Sequence, residues 1–336
     1  MAPTSDPVID AHAHLVPPRL GEALERARAK LPSISPRTGD DGKLYVAFPT
    51  LTDPRPVPPR VLSRDQSHEF MDAQGVDTQI VGIWADLFGY DLPPAEGAYW
   101  ASMLNDMLLE EAAASGRMVA LATLPLQDTA AAVKELERCL GLGYKGVTIG
   151  PSVGADANGA SAQLDAERLG ELWSALADQR VPVVLHPMFL TAEARIRDYG
   201  LPNTVGRPHD TNVAVARLLY SGRLAQHLDL RILLVHGGGG VPYLWGRLQR
   251  NAVIGPGELA DPDAGLGTLW FDTVVYRPEA LQFLLGFAGT ERVLLGSDYP
   301  FPIMDPRPNE VVDRLDVPDA TRAAIRSGNA RALFGL

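Results

Sequence analysis

Two histidines one residue apart, His12 and His14, close the short apolar segment Val8-Ile-Asp-Ala-His-Ala-His-Leu15. Side chains alternate along a strand, so residues two apart project from one face. The pair therefore presents two imidazoles at the tip of one strand. Imidazole is the commonest protein ligand for divalent transition metals. Further polar residues end later apolar runs: His186 after Val183-Val-Leu, His236 after Ile232-Leu-Leu-Val, and Asp298 after Val293-Leu-Leu-Gly-Ser. Histidines with a carboxylate suit Zn²⁺, with Mn²⁺, Fe²⁺ or Co²⁺ as alternatives. A bound ion of this kind polarises a carboxylate or carbonyl, or activates a water. One such histidine alone reads as a core residue; five polar residues that all end strands read as one metal site.

For these residues to meet, the chain must bring several strand ends to one place. Apolar runs at 8–11, 78–83, 118–122, 146–149, 182–185, 231–235, 269–272 and 293–295 read as strands. Between them lie helical patterns at 65–74, 95–115, 129–142, 166–179, 211–226, 241–251 and 278–288, with apolar spacings such as Val133, Leu136 and Leu140. Eight strands alternating with helices predict an α/β fold closed as a (β/α)8 TIM barrel, whose strand C-termini open onto one face. A doubly wound open sheet is the alternative, and it gives no reason for eight units. A single domain over 1–336 is expected, with a helix at 319–334 packed on the outside. Residues 17–64, rich in Pro, Arg and Gly, form an insertion after the first strand with a small β excursion at 43–48. That place puts the insertion over the open face as a lid.

Composition narrows the function classes. The 336 residues are 46% hydrophobic and 21% charged, which allows a sizeable core. A net charge of −11 argues against nucleic-acid binding, which needs clustered Lys and Arg. Cys139 is the only cysteine, so neither an intrachain disulfide nor a thiolate cluster is expected. No apolar run reaches the roughly 18 residues of a membrane span, and the first residues lack signal-peptide character. A cytoplasmic protein with no membrane partner is expected.

The candidates differ in role. His186 precedes Pro187, which keeps the preceding residue extended. His236 precedes Gly237-Gly-Gly-Gly240, where backbone can approach a ligand and helix amides stay free. The run lacks the lysine of a phosphate loop. His236 reads best as an acid/base beside the metal, with direct ligation as the alternative. Lys145 lies at the wrong end of its strand to bridge two ions, so one ion is expected. His68, His209 and His227 fall on helix or loop patterns and read as structural.

Several segments together resemble the amidohydrolase superfamily and, within it, the aminocarboxymuconate-semialdehyde decarboxylase group, related to resorcylate- and salicylate-type decarboxylases. They are Ile9-Asp-Ala-His-Ala-His14, Leu124-Pro-Leu-Gln127, Leu185-His-Pro187, His236-Gly-Gly-Gly-Gly-Val-Pro-Tyr-Leu-Trp-Gly-Arg247 and Leu295-Gly-Ser-Asp-Tyr-Pro-Phe-Pro302. The resemblance implies one divalent metal, usually zinc, and non-oxidative decarboxylation without an organic cofactor. It matches His12, His14, His186 and Asp298 to metal ligands and His236 to an acid/base. It matches Arg247 to an arginine that reaches a neighbouring subunit's site, implying a homodimer, and Phe301 to a pocket aromatic. There are departures. After Asp41-Gly-Lys43, Val46 stands where the group carries a second carboxylate-binding arginine, and Met188-Phe189-Leu190 replaces a tryptophan-containing segment. These favour a less acidic aromatic or enol acid. Arg195, Arg197 and Arg207, on the loop after the fifth strand, could supply replacement contacts to the acid, but an exposed basic loop is the reading preferred.

The expected function is a metal-dependent decarboxylase, a carboxy-lyase, of a small aromatic or unsaturated carboxylic acid. Either His236 or Asp298 carries the proton to carbon. The alternatives are a mononuclear hydrolase of a lactone, amide or ester, a hydratase of an unsaturated keto acid, and a non-catalytic metal-binding scaffold.

Overall fold

The computed structural model describes residues 7–50, 54–155, 161–188 and 194–336. The parallel strands are β1 (Ile9–His14), β2 (Thr78–Gly82), β3 (Met118–Ala120, resumed as Ala122–Thr123) and β4 (Val147–Ile149). They continue as β5 (Pro182–Leu185), β6 (Arg231–Leu234), β7 (Leu269–Asp272) and β8 (Val293–Leu294). Each pairs in parallel with the next. The ends also meet: Ala11 N donates to Leu295 O at 2.8 Å, and His14 N donates to Tyr299 O at 2.8 Å. These bonds close the α/β barrel and rule out the open sheet. Both faces of such strands are covered, which is why β5 and β6 read as continuous apolar runs.

Helices fill the intervals as expected, with two local differences. The pattern at 211–226 divides into Arg207–Tyr220 and Arg223–Gln226, because Gly222 takes φ 74° between them. The pattern at 166–179 begins with a 3₁₀ turn, Glu167–Leu169, before the helix Gly170–Asp178. A hairpin, Ser152–Ala155 with Ser161–Gln163, carries no alternating apolar signal and was not expected. The C-terminal helical stretch does more than rest on the outside. Ala330, Leu333 and Phe334 share an apolar cluster with Ile9, Ile80, Val184, Leu233 and Leu294 of the strands.

The insertion is built into the main core. It forms a helix, Leu20–Ala27, and an antiparallel pair, Ser35–Thr38 with Leu44–Ala47. Leu20, Leu24, Leu31, Val46, Phe48 and Val57 are buried in the principal hydrophobic cluster. Val16 N donates to Val61 O at 2.8 Å, which ties the two ends of the segment together.

Asp10 fastens β1 to the segment that follows β8. Its carboxylate accepts from Ser297 Oγ at 2.6 Å, Ser297 N at 3.0 Å, Gln79 Nε2 at 3.0 Å and His12 N at 3.2 Å. Burial raises its pKa to about 6 despite these donors. Removing a buried acceptor with several donors leaves all of them unpaired. Asp10→Ala should therefore lower unfolding free energy by about 2–4 kcal/mol and Asp10→Asn by less, read by denaturant titration. Equal stability of Asp10→Ala and the parent protein would contradict this role.

Candidate metal centre

The structure brings His12, His14, His186 and Asp298 together from the ends of β1, β5 and β8. Their candidate ligand atoms all lie within 4.8 Å of one another, and all four residues are buried. Among the described residues this is the group of histidine and carboxylate side chains that fits an ion. Asp298 Oδ1 is 3.3 Å from His12 Nε2, 3.2 Å from His14 Nε2 and 3.9 Å from His186 Nε2. Donors around a tetrahedral zinc with bonds of about 2.0–2.1 Å stand roughly 3.3 Å apart, so the spacing fits.

The outer nitrogens explain why the inner ones face inward. His12 Nδ1 meets Asp272 Oδ2 at 2.7 Å, His186 Nδ1 meets Pro187 O at 2.9 Å, and His14 Nδ1 meets Ile83 O at 3.4 Å. An acceptor at Nδ1 holds the proton there and leaves the Nε2 lone pair for an ion. His12 Nε2 and His186 Nε2 are buried with no protein hydrogen-bond partner, as atoms that would hold an ion should be. β1 also contains a register shift between Asp10 and Ala13, of the kind that re-aims side chains near sites.

Burial pushes the pKa of His14 down and that of His186 well below the usual imidazole range. At His12 burial acts the same way, but Asp298 and Asp272 outweigh it and raise the pKa to about 10. Burial would raise Asp298, yet His12 and the other imidazoles hold it well below the usual carboxylate range. The raised pKa of His12 means that an incoming cation would have to displace a proton there.

His236 stands beside this group rather than in it. Its Nε2 is 3.4 Å from Asp298 Oδ2, the oxygen that the three other imidazoles do not face. Its side chain is 15% exposed. The glycine run after it serves the protein interior rather than a ligand. Gly237, Gly238 and Gly239 take φ 60°, 77° and 61°, and a Cβ on Gly238 would come 2.7 Å from the Phe271 ring. Gly240 N donates to Asn212 Oδ1 at 2.7 Å, so this amide is not open at the helix start.

Asp272, at the end of β7, was missed by the sequence reading. One oxygen takes the His12 ring; the other accepts from Gly237 N at 2.7 Å and Val274 N at 3.1 Å. It holds a candidate ligand and the loop of the candidate acid/base with one carboxylate. The available signal was its place, an acidic residue ending an apolar strand as Asp298 does.

A cleft opens beside the cluster, lined by His186, Asp298, Phe301, Asn203, Arg55 and Arg207 among others. The Phe301 ring centre is 5.1 Å from that of His14 and 6.1 Å from that of Trp84. Two arginines here depart from expectation. Val46 is buried in the core, and Arg55, nine residues further along the insertion, supplies a guanidinium to the cleft. Arg207 is 9% exposed and faces the cleft, unlike the exposed Arg195 and Arg197, because its helix starts earlier than the pattern indicated. Met188 is buried, while Phe189 and Leu190 lie outside the described residues. Arg247 is exposed on the helix Val241–Ile254 and does not line this cleft. His68, His209 and His227 lie on or at the end of helices and are not among the grouped ligands, and Lys145 is exposed ahead of β4.

A family profile described as amidohydrolase matches residues 9–336. The chain is 30% identical over 277 residues to a 2-amino-3-carboxymuconate-6-semialdehyde decarboxylase of Dictyostelium discoideum, covering 79% of this chain and 75% of that protein. It is 33% identical over 291 residues to a gamma-resorcylate decarboxylase of Rhodococcus jostii, covering 81% of this chain and 88% of that one. Among solved structures, a dihydroxybenzoic acid decarboxylase from Polaromonas sp. JS666, with manganese and 2-nitroresorcinol bound, superposes with a TM-score of 0.79. That pair is 26% identical, with 98% of this chain and 97% of the other covered.

Two outcomes follow from the geometry. In Asp272→Asn the amide donates toward His12 Nδ1 and favours the tautomer whose Nε2 carries the proton. Metal affinity should fall about 10- to 100-fold, read by chelator competition, while the fold persists by circular dichroism. Unchanged affinity would remove Asp272 from the metal centre. Cation binding should also release about one proton, so affinity rises about tenfold per pH unit between about pH 6 and pH 8. Calorimetry in buffers of different ionisation enthalpy measures this, and a pH-independent affinity would refute it.

Proposed function

The chain belongs to the amidohydrolase family, and from that premise we propose that it is a metal-dependent, non-oxidative decarboxylase of a small aromatic or unsaturated carboxylic acid. The substrate class is that of its relatives, an ortho-hydroxybenzoate or an aminocarboxymuconate-like acid. The observation that carries the reading is the division of Asp298: one oxygen sits among three buried imidazoles, the other beside His236, at the floor of a cleft that contains arginine.

In this reading His12, His14, His186 and Asp298 hold one divalent transition ion. Zinc suits a set of three nitrogens and one carboxylate oxygen, and manganese is the alternative because a relative carries it. When bound, the ion acts as a Lewis acid that fixes the acid's oxygens and draws charge from them. The chain's own groups do the rest. His236 delivers a proton to the carbon that bears the carboxylate. The C–C bond to that carboxylate then breaks, its electron pair returns to the ring or enamine, and CO₂ leaves. His236 suits this role better than Asp298, which its neighbours keep ionised. The greater exposure of His236 also lets it take a new proton from solvent. Phe301 packs beside the bound acid, and Arg55 meets an anionic group at the insertion side.

We place the active form as a homodimer, one catalytic unit per chain over 1–336 with the insertion at 17–64 as part of it. On the helix that carries Arg247, Tyr243 is 84% exposed and Val253 77% exposed, a pattern that suits a covered surface. Arg247 would then enter the partner's cleft and pair with the substrate carboxylate. A cytoplasmic setting fits a single buried cysteine and the absence, among the described residues, of a helix able to span a membrane.

The deciding experiment is CO₂ release from ortho-hydroxybenzoates and muconate-type acids by protein of known metal content. Release that tracks one ion per chain supports the proposal; full loading with ring opening or hydration in its place moves the reading to a hydrolase or hydratase. His236→Ala should keep its metal and lose about 10²- to 10⁴-fold in kcat. Loss of metal in that variant would make His236 a ligand. Arg247→Ala should raise KM, and a sedimentation mass of one chain would remove Arg247 from the site.

A further inference from the structure

Among the described residues, five that carry side chains take positive φ, and two of them, His236 and Asp298, belong to the site already described. A third is Tyr276, at φ 60° in the loop that follows β7. Arg277 N donates to Val275 O at 2.7 Å, so Tyr276 is the centre of a three-residue turn. With positive φ at its centre such a turn is the rare, strained form, and a bulky aromatic residue seldom adopts it. Strain of this kind persists only where the surroundings over-determine it, and it gathers at functional positions. The reaction as described leaves Tyr276 without a task. Its loop is tied to the metal centre at the near end, where Val274 N donates to Asp272 Oδ1 at 3.1 Å and Val275 packs against Gly237 too closely to admit a Cβ there. At the far end Tyr276 Oη donates to Ile303 O at 2.7 Å. Partial burial and the carboxylates of Asp298, Asp272 and Asp305 raise the pKa of this phenol, so it keeps the proton that it donates.

Ile303 belongs to a turn that Met304 N closes by donating to Phe301 O at 2.9 Å. Phe301, Pro302 and Ile303 all line the cleft. The base of this segment is anchored, since Asp305 N donates to Ser297 O at 2.7 Å. On its buried side Phe301 packs against the His14 ring, with 5.1 Å between ring centres. The half-exposed Tyr276 holds the turn from the solvent side. We propose that Tyr276 is a positioning residue for substrate binding: through Ile303 it fixes the turn that carries Phe301, and so sets where the cleft wall meets the ring or conjugated chain of the bound acid. The proposal rests on the decarboxylase reading for the kind of molecule that enters the cleft. A wall fastened on both sides keeps one position, so binding need not order it first. Glycine would adopt the φ of Tyr276 without strain, and the hydroxyl contact gives a reason for tyrosine in its place.

The test compares metal-loaded parent protein with Tyr276→Phe, which keeps the ring and loses the hydroxyl, and with Tyr276→Gly, which also relieves the backbone. Binding of 2-hydroxybenzoate is read by calorimetry, and opening of the segment 299–305 by hydrogen exchange. Tyr276→Phe should bind this probe about three- to tenfold more weakly, as loss of one hydrogen bond implies, with faster exchange in the segment and unchanged metal affinity. Tyr276→Gly should bind it at least as weakly as Tyr276→Phe. Faster exchange with unchanged binding in Tyr276→Phe would make the contact merely structural and overturn the proposal. Binding equal to the parent's in Tyr276→Gly would overturn it too, as would loss of metal from either variant or a parent protein that does not bind the probe. Binding is read without turnover. A parent protein that binds the probe and releases CO₂ from none of the acids would sink the decarboxylase reading and leave the positioning role standing.

Discussion

An imidazole can offer Nε2 to an ion only if its proton sits on Nδ1, so every ligand histidine needs an acceptor on its outer side. The three acceptors here come from different parts of the barrel. Asp272 closes β7 and lies 260 residues from His12 in sequence; Ile83 follows β2; Pro187 follows β5. They reach the histidines only because the barrel is closed and β1 is held between β2 and the segment after β8. The Asp10–Ser297 contacts serve the same end, since Ser297 directly precedes Asp298. Closure of the sheet and readiness of the cluster for an ion are therefore one constraint expressed at two scales.

The same constraint accounts for the backbone at the site. Asp298 takes φ 60° and His236 φ 57°, left-handed values that cost a residue with a side chain about 1–3 kcal/mol each. Such conformations persist where the surroundings over-determine them. Asp298 N donates to His12 O at 2.8 Å, and the amide after His236 is held by Asp272. A strand that simply ran on would send these side chains along its own alternation. The turn instead sets the two Asp298 oxygens toward different neighbours, which separates the metal-holding role from the proton-handling one.

Much of this was legible in the sequence. The eight strands and the convergence of His12, His14, His186, His236 and Asp298 follow from apolar runs that each end in a polar residue. What escaped is informative about period-based reading. Asp272 ends a strand in the same manner, but it reads simply as the last residue of the run 269–272. The glycines after His236 looked like a ligand cradle, yet their φ values and the Phe271 ring show them packed against protein. Arg207 was hidden because its helix begins four residues before the apolar periodicity does, at a Pro-containing first turn that carries no apolar signal. Arg55 was hidden because a long insertion has no period from which to infer which side chain turns inward.

The charge distribution bears on how an anionic acid is held. The chain carries a net charge of −11, which at long range opposes an incoming carboxylate. Salt screens that opposition over roughly 8 Å at physiological strength, so it chiefly affects encounter rather than the bound state. Inside the cleft the balance is local and screening is weak. Arg55 and Arg207 stand on one wall, with the histidine-rich cluster on the floor. Attraction there grows as water is excluded, because the effective dielectric falls. Affinity must therefore come from a few preorganised contacts rather than from the field of the whole molecule.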